Sequence, residues 1–282
     1  MALRFARMHG AGNDFVILHD PAGRLAGDRA ALARALCDRR RGIGGDGLIL
    51  IGPPSTSGPA FSMTYVNADG GDAEMCGNGA RCALRRAADL GLLTREGEFE
   101  TGAGVLRGRV DDRDVRLSMP NPTDERPARI LDVEGEALQV FSIDTGVPHA
   151  VVFVDDVLAV DAAARGRAVR RHASFAPRGT NVNFVQVLDK GRLRVRTYER
   201  GVEGETLACG TGAVASALVS SRLGLTAPPV SVETQSGETL QVGFESGPDS
   251  SFHGVTLAGP AELVATGAID DGWLSRRALP TT

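Results

Sequence analysis

Apolar residues alternate with polar ones over residues 3–8, 14–18, 48–51 and 61–66, where β-branched and aromatic side chains are also concentrated. That pattern predicts short strands. Helical spacing predicts a helix over 28–40, between the second and third of these strands, and another over 80–90. Strands are expected next near 98–101, 105–110 and 115–119, after which P-N-P-T at 120–123 interrupts the pattern as a breaker cluster. The second half repeats the plan: strands at 140–144, 150–154, 182–187 and 193–199, a helix over 213–223, then further strands to residue 257. A helix over 161–171 has no clear partner in the first half. The interleaving indicates an α/β (α+β) chain of two domains that cross near the breaker cluster. The expected division is 1–119, completed by the final stretch 265–282, and 120–264.

The halves share more than a plan. Cys76 and Cys209 open two copies of C-G-x-G-A, each running into an apolar helix that ends L-G-L, 133 residues apart (209 − 76). At that fixed offset Thr64-Tyr65 aligns with Thr197-Tyr198, Leu90-Gly91-Leu92 with Leu223-Gly224-Leu225, Glu100-Thr101 with Glu233-Thr234, and Gly104 with Gly237. A duplicated unit carrying one thiol per copy supplies two similar groups for one ligand. Such a pair can take a proton from one face of a carbon and return it to the other, the chemistry of a two-base racemase or epimerase.

Composition narrows the partners. The chain has 282 residues, is 42% hydrophobic and carries a formal charge of −4, enough for two ordinary cores. Its basic residues are scattered, giving no footprint for nucleic acid. No apolar run approaches the roughly 20 residues of a membrane span. The N-terminus M-A-L-R-F-A-R-M-H-G does not read as a secretory signal, which points to the cytoplasm. A small-molecule substrate is therefore expected. The four cysteines, Cys37, Cys76, Cys82 and Cys209, form no C-x-x-C pair, so no zinc site is expected, and a reducing compartment favours free thiols. Cys37 and Cys82 read as small buried residues.

Each of the other two thiols precedes a glycine-rich turn that begins a helix. The backbone N–H groups of Gly77-Asn78 and Gly210-Thr211 are then expected to lack intrahelical partners and to favour a carboxylate, with the helix start lowering each thiol's pKa. The same arrangement would stabilise the charge that develops as an α-proton leaves. The only lysine, Lys190, lies in a D-K-G turn suited to solvent, so the pyridoxal phosphate route to racemisation is not favoured and no cofactor is expected. The run G-I-G-G-D-G at 42–47 has its flanking elements in the wrong order for a dinucleotide fingerprint. His149 reads either as a structural loop histidine or as the partner of a thiol. Glu199-Arg200, ending a strand before Cys209, offers a carboxylate for an amino group and a guanidinium for a carboxylate, with a surface salt bridge as the alternative reading. Asn13, Asn67 and Asn181 each sit at a strand end, where an Asx turn is the alternative reading.

Together the motifs M-H-G-A-G-N-D-F (8–15), N-A-D-G-G-D-A-E-M-C-G-N-G-A-R-C (67–82), G-V-P-H (146–149), T-N-V-N-F (180–184), Y-E-R-G (198–201) and E-T-L-A-C-G-T-G (205–212) resemble those of diaminopimelate epimerases over nearly the whole chain. The resemblance implies two pseudo-symmetric domains, each a strongly curved, mostly antiparallel sheet around a central helix, with the substrate in the cleft between them. It implies interconversion of LL- and meso-2,6-diaminopimelate without cofactor or metal, a step toward lysine and peptidoglycan precursors. Carried over by position, Cys76 and Cys209 are the acid/base pair, tuned by His149 and Glu199. Gly77, Asn78, Gly210 and Thr211 bind the carboxylate at the reacting carbon, and Asn13, Asn67, Asn181, Glu199 and Arg200 contact the rest of the substrate. A homodimer is compatible with the resemblance. Three departures bear on substrate recognition: Gly47 replaces a glutamine common in the family, Val147 replaces an asparagine, and Glu203 lies in a segment one residue longer than usual. They leave a related racemase of another amino acid as the alternative. A single-nucleophile cysteine hydrolase or transferase leaves the second thiol unexplained, and an anion-binding protein leaves both unexplained.

Overall fold

A computed structural model describes residues 3–73, 76–249 and 251–280. The chain divides into two compact units, Met1–Leu117 with Gly259–Thr282, and Ser118–Ala258. The first half contributes β1 (Arg4–Gly10), β2 (Asn13–His19), α1 (Arg29–Leu36), β3 (Gly47–Gly52), β4 (Phe61–Asn67), β5 (Asp72–Ala73), α2 (Gly77–Asp89), β6 (Glu96–Thr101), β7 (Gly104–Val110) and β8 (Asp114–Ser118). The second contributes β9 (Thr123–Val133), β10 (Glu136–Asp144), β11 (Pro148–Phe153), α3 (Ala162–Arg171), β12 (Asn181–Asp189), β13 (Arg192–Glu199), β14 (Gly204–Thr206), α4 (Gly210–Arg222), β15 (Val230–Glu233), β16 (Thr239–Ser246) and β17 (Phe252–Pro260). Strand β18 (Glu262–Ala268) and α5 (Asp271–Ser275) close the chain within the first unit.

Strand order is the same in both units. In the first it runs β18-β1-β2-β3-β4-β6-β7-β8, with β5 beside β4. In the second it runs β9-β10-β11-β12-β13-β15-β16-β17, with β14 beside β13. Among these pairings β2/β3 and β4/β6, and their counterparts β11/β12 and β13/β15, are parallel and the others antiparallel. Helix α2 packs on β1, β2, β3, β4 and β7 of its own sheet, and α4 on β10 through β13, β15 and β16. A single helix can touch that many strands only if the twisted sheet curls around it. Small residues allow the close fit: every residue from Gly212 to Ser220 of α4 is buried.

Both central helices begin at Gly77 and Gly210, three residues before the apolar spacing predicts, because the glycine-rich segment is itself the first helical turn. They end alike. Gly91 and Gly224 take φ of +74° and +70°. The N–H groups of Gly91 and Leu92 reach the carbonyls of Ala88 and Ala87, as those of Gly224 and Leu225 reach Ser221 and Ser220. This is the left-handed glycine cap with an apolar residue after it.

Structure corrects two expectations about the repeat. The helix at 161–171 does have a partner: α3 crosses from β11 to β12 as α1 crosses from β2 to β3, each over the outer face of its sheet. Their sequences, R-A-A-L-A-R-A-L and A-A-A-R-G-R-A-V-R-R, have diverged because each packs on its own outer core. The offset is not constant either. Ile49 pairs with Tyr65 where Asn183 pairs with Thr197, so within this strand the equivalent of Tyr65 is Thr197, at 132 (197 − 65). Tyr65 sits edge-on to Phe15 near the central helix, whereas Tyr198 joins the outer core with Val169 of α3. A one-residue slip moves a strand's side chains to the other face. The extra residue falls between β13 and β14, where Glu203 takes φ of +55°.

Strand β9 has no sequence expectation behind it. It is mostly exposed, carries Pro127 and pairs only with β10, so neither alternation nor β-propensity marks it, and a proline is tolerated at that edge. Helix α1 stops at Leu36, short of the expected residue 40, because the Asp38 carboxylate accepts the N–H groups of Arg40 and Arg41 and turns the chain. Among the described residues no helix is long and apolar enough to cross a membrane.

Packing of α3 on β13 can be checked directly. A Cβ at Gly166 would lie 2.4 Å from the Tyr198 Cβ, whereas one at Gly27 would meet nothing within 4 Å. Gly166→Ala is expected to destabilise the protein by about 1–3 kcal/mol, outweighing the ~1 kcal/mol that alanine gains in a helix. Gly27→Ala should change stability by less than about 0.5 kcal/mol. Urea unfolding midpoints at constant m-value decide, and equal midpoints for the two variants would refute the packing.

Candidate active site

Cys209 is the N-cap of α4, in extended conformation, and its sulfur accepts the Gly212 N–H at 3.4 Å. The Thr211 Oγ1 lies 3.5 Å from the same sulfur. Thr211 Oγ1 in turn is 3.0 Å from His149 Nε2. Behind the imidazole, Asn183 Nδ2 approaches His149 Nδ1 at 3.0 Å and donates to the Ala150 carbonyl at 3.1 Å, while Asn183 Oδ1 accepts the Thr197 hydroxyl at 3.0 Å. Glu199, the last residue of β13, accepts the Thr206 hydroxyl at 2.5 Å and is hydrogen-bonded to Cys209. Asn181 is buried at the start of β12, and its Oδ1 accepts the Arg200 N–H at 2.8 Å. The Arg200 guanidinium reaches the Arg178 carbonyl at 3.4 Å.

The expected lowering of the thiol pKa does not hold at Cys209. Burial, first, and the neighbouring Glu199 carboxylate push this thiol well above its ordinary range, against the hydrogen bonds from Thr211 and Gly212. Desolvation disfavours the thiolate more than two donors and a helix start stabilise it. Glu199 is raised as well, by burial, with the Thr206 and Cys209 bonds opposing. For this pair in contact, removal from water disfavours the charged form of each. Burial, helped by the Arg200 charge, pushes His149 down to about 3. It is a neutral imidazole, so a thiolate–imidazolium pair with Cys209 is not available to it.

In the first unit Cys76 caps α2 in the same way, its sulfur accepting the Gly79 N–H at 3.5 Å. Gly77 and Asn78 form the first turn, as Gly210 and Thr211 do in α4. Asn78 Nδ2 donates to Asn13 Oδ1 at 2.5 Å, Asn13 Nδ2 donates to Asp46 at 3.1 Å, and the buried Arg81 donates to Asn78 Oδ1 at 2.9 Å. Asn67 ends β4 opposite Gly47. The first unit thus gathers Cys76, Gly77, Asn78 and Asn13, and the second gathers Cys209, Gly210, Thr211, His149, Glu199, Asn181 and Arg200. Cys37 and Cys82 are buried, with thiols pushed up to about 12 by desolvation. Lys190 is exposed and donates to the Gly224 carbonyl beyond the end of α4, where a cation suits the helix dipole.

Asn183, Thr197 and Thr206 were not singled out by the sequence, although the signal exists. In T-N-V-N-F, Asn183 is a polar residue on the face of a core strand that it shares with Asn181. Two of the departures gain a physical reason. A Cβ at Gly47 would lie 2.5 Å from Tyr65 Cε2 and 2.8 Å from the Val66 carbonyl, so the Tyr65 ring fills the space of a side chain there. Glu203 pins the longer loop by pairing with Arg170 of α3 at 2.8 Å and accepting the Tyr198 hydroxyl at 3.3 Å.

His149 gives a pH signature. Its folded pKa of about 3 lies below the ordinary 6.5, so between those values the unfolded chain binds the extra proton. The stability this contributes is complete above about pH 6.5 and is lost as pH falls toward 3, at up to about 1.4 kcal/mol per pH unit. His149→Phe should flatten that slope between pH 7 and 4 even if its absolute stability is lower. Urea titrations of both proteins across that range test it, and parallel curves would contradict the neutral, buried imidazole.

A family model described as diaminopimelate epimerase matches residues 5–123 and 141–257. The chain is 44% identical over 252 residues to a diaminopimelate epimerase of Aquifex aeolicus, covering 86% of this chain and 90% of that one. It is 41% identical over 282 residues to a diaminopimelate epimerase of Methanocella arvoryzae, covering 95% and 97%. Among solved structures, the phenazine biosynthesis protein of the PhzF family from Bacillus anthracis superposes with a TM-score of 0.74 over 96% of this chain and 99% of that one, at 15% identity, a likeness of fold alone. With the family model spanning both halves and these relatives spanning most of its length, the chain belongs to the diaminopimelate epimerase family.

Proposed function

We propose that this isomerase interconverts LL- and meso-2,6-diaminopimelate with no organic cofactor, Cys76 and Cys209 serving as its acid and base. One thiolate takes the α-proton while the other thiol delivers a proton to the opposite face, so two similar groups suit a reversible inversion. The observation that carries the reading is the matched pair of N-caps: two helices of 13 residues, each begun by a cysteine whose sulfur accepts the N–H three residues on. Cys209, kept protonated by burial and Glu199, enters as the proton donor in one direction.

In this reading the first-turn N–H groups at Gly77, Asn78, Gly210 and Thr211 hold the carboxylate of the reacting carbon, where negative charge grows as the α-proton leaves. Asn13, Asn67, Asn181, Glu199 and Arg200 recognise the remainder of the diamino diacid, and His149 and Glu199 tune Cys209. The reading places the chain in the cytoplasm, with a small molecule rather than nucleic acid or membrane as its partner, and it is compatible with a homodimer.

Incubation of the reduced protein with LL-diaminopimelate in deuterium oxide, with no cofactor added, should place solvent deuterium at the α-position. Cys76→Ala and Cys209→Ala should each lower epimerisation by about 10²–10⁴-fold, the usual worth of positioned proton transfer. Loss of activity in only one of the two variants would indicate a single nucleophile instead. Gly47 and Val147 favour a second reading, a racemase of another amino acid. Faster turnover of any single L-amino acid than of diaminopimelate, followed by chiral chromatography, would establish that reading.

A further inference from the structure

The two halves provide an internal control for what each thiol's surroundings must be. Phe15 occupies in the first unit the place of His149 in the second, at an offset of 134 (149 − 15), and Ile49 that of Asn183 (183 − 49). Tyr65 occupies that of Thr197. The contacts agree: a Cβ at Gly79 would meet Ile49 and Phe15 at 3.2 and 3.5 Å, and one at Gly212 would meet Asn183 Oδ1 at 2.3 Å. The fold is therefore satisfied at these three positions by an aromatic and aliphatic set with Phe15 and Tyr65 edge to face, ring centroids 5.9 Å apart. In the second unit the same positions carry an imidazole, an amide and a hydroxyl, with Asn183 fully buried and His149 and Thr197 nearly so. Burying polar groups where apolar ones fit costs stability unless their hydrogen bonds are complete.

They are complete, and they fix the protons. The Ala150 carbonyl can only accept, so the Asn183 amide must turn its NH₂ toward it. The second N–H of that NH₂ then points at His149 Nδ1, which has to be the unprotonated nitrogen. Thr197 completes the lock by donating to Asn183 Oδ1. A neutral imidazole with a bare Nδ1 carries its proton on Nε2 and donates it to Thr211 Oγ1. Thr211 cannot donate back to the ring, so its own hydroxyl proton is free to lie along the 3.5 Å line to Cys209 Sγ.

We propose that Asn183 and Thr197 are positioning residues that fix the Nε2–H tautomer of His149, and that the Thr211 hydroxyl, so oriented, is a dedicated hydrogen-bond donor to the Cys209 thiolate. The inference deepens the epimerase reading, from which it takes Cys209 as one of the two acid/base thiols. Within the second unit the charged groups acting on this cluster are Glu199 on Cys209, which disfavours the thiolate, and Arg200 on His149, which disfavours the imidazolium. The donor from Thr211 opposes Glu199, keeping ionisation of a buried thiol within reach. In the first unit Asn78 stands at the position of Thr211 and is bonded to Asn13 and Arg81.

The test is alkylation of Cys209 by iodoacetamide as a function of pH, in a Cys76→Ala background where the remaining cysteines, Cys37 and Cys82, are buried. Thr211→Val should slow alkylation near neutral pH about tenfold by removing one hydrogen bond to a charged group, and move the midpoint of the profile upward. Thr211→Ser should restore the parent profile. Asn183→Ile, the residue of the sibling half, releases the tautomer and should slow alkylation about threefold or more when Thr211 is present and have no effect when residue 211 is valine. A profile unmoved by Thr211→Val, or an Asn183→Ile effect that persists with valine at 211, would overturn the proposal. Should Asn183→Ile not fold, nitrogen-15 spectra of the unsubstituted protein decide instead. They should show a pyridine-like Nδ1 and a pyrrole-like Nε2 at His149, and the reverse assignment would overturn the proposal. Alkylation needs neither substrate nor turnover, so its outcome is separate from the deuterium-exchange test of the epimerase reading.

Discussion

A sulfur atom at the N-cap of a buried helix is the constraint on which the rest of each unit depends. The leading N–H groups of α2 and α4 have no carbonyl within their own helix to meet, and at each helix start the cysteine satisfies one of them. Serine, threonine or aspartate would cap more strongly, by hydroxyl or carboxylate oxygen at shorter range. A thiol accepts at 3.4–3.5 Å instead, giving up capping strength for a group that can ionise and carry a proton. Glycine follows at Gly79 and Gly212 because the helix start lies against the sheet: Ile49 and Met63 crowd the one, Asn183 the other. Cap, turn and sheet contact therefore constrain one another. A side chain larger than hydrogen at either glycine would push the first turn, and with it the thiol, away from the strands.

Duplication gives the two thiols the same backbone and then lets their surroundings diverge. Aromatic and aliphatic packing supports the first helix start, through Phe15, Ile49 and Tyr65, beside hydrogen bonds that join Asn78 to Asn13 and Arg81. A closed hydrogen-bond network supports the second, through His149, Asn183, Thr197 and Thr211, with Glu199 on the other side of the sulfur. Backbone symmetry thus coexists with chemical asymmetry. Substrate stereoisomers that differ at one carbon present the same asymmetry from the other side, so unequal thiols do not conflict with reversible inversion.

Electrostatics at Cys209 shows how magnitudes decide between opposing effects. A helix start and two donors favour the thiolate, whereas removal from water and a neighbouring carboxylate disfavour it, and the second pair prevails. Helix-end effects are worth about 0.3–1 kcal/mol near the surface, while burial can move a titrating group by several pKa units. The neutral His149 follows from the same desolvation. Its ring serves as an oriented donor, a role that needs no change of charge.

Much of this was legible in residue order. Spacing of apolar residues, the doubled C-G-x-G-A and L-G-L signatures, and the glycines that end α2 and α4 are local properties, and local backbone geometry follows from them. So too is the candidate list built on Cys76, Cys209, His149 and Glu199. Three features required the tertiary structure: the slip that turns Tyr198 to the outer core, the equivalence of α1 and α3 despite dissimilar sequences, and the place of Asn183 and Thr197 behind His149. Each depends on which face of a strand meets which neighbour, and a single added residue near Glu203 reverses that without altering the composition around it. The sign of the pKa shift at Cys209 belongs with them. Sequence alone determined where the thiols stand on their helices, because a cap is set by adjacent residues; the fold decided how Cys209 ionises, because desolvation sums over every group that packing brings near.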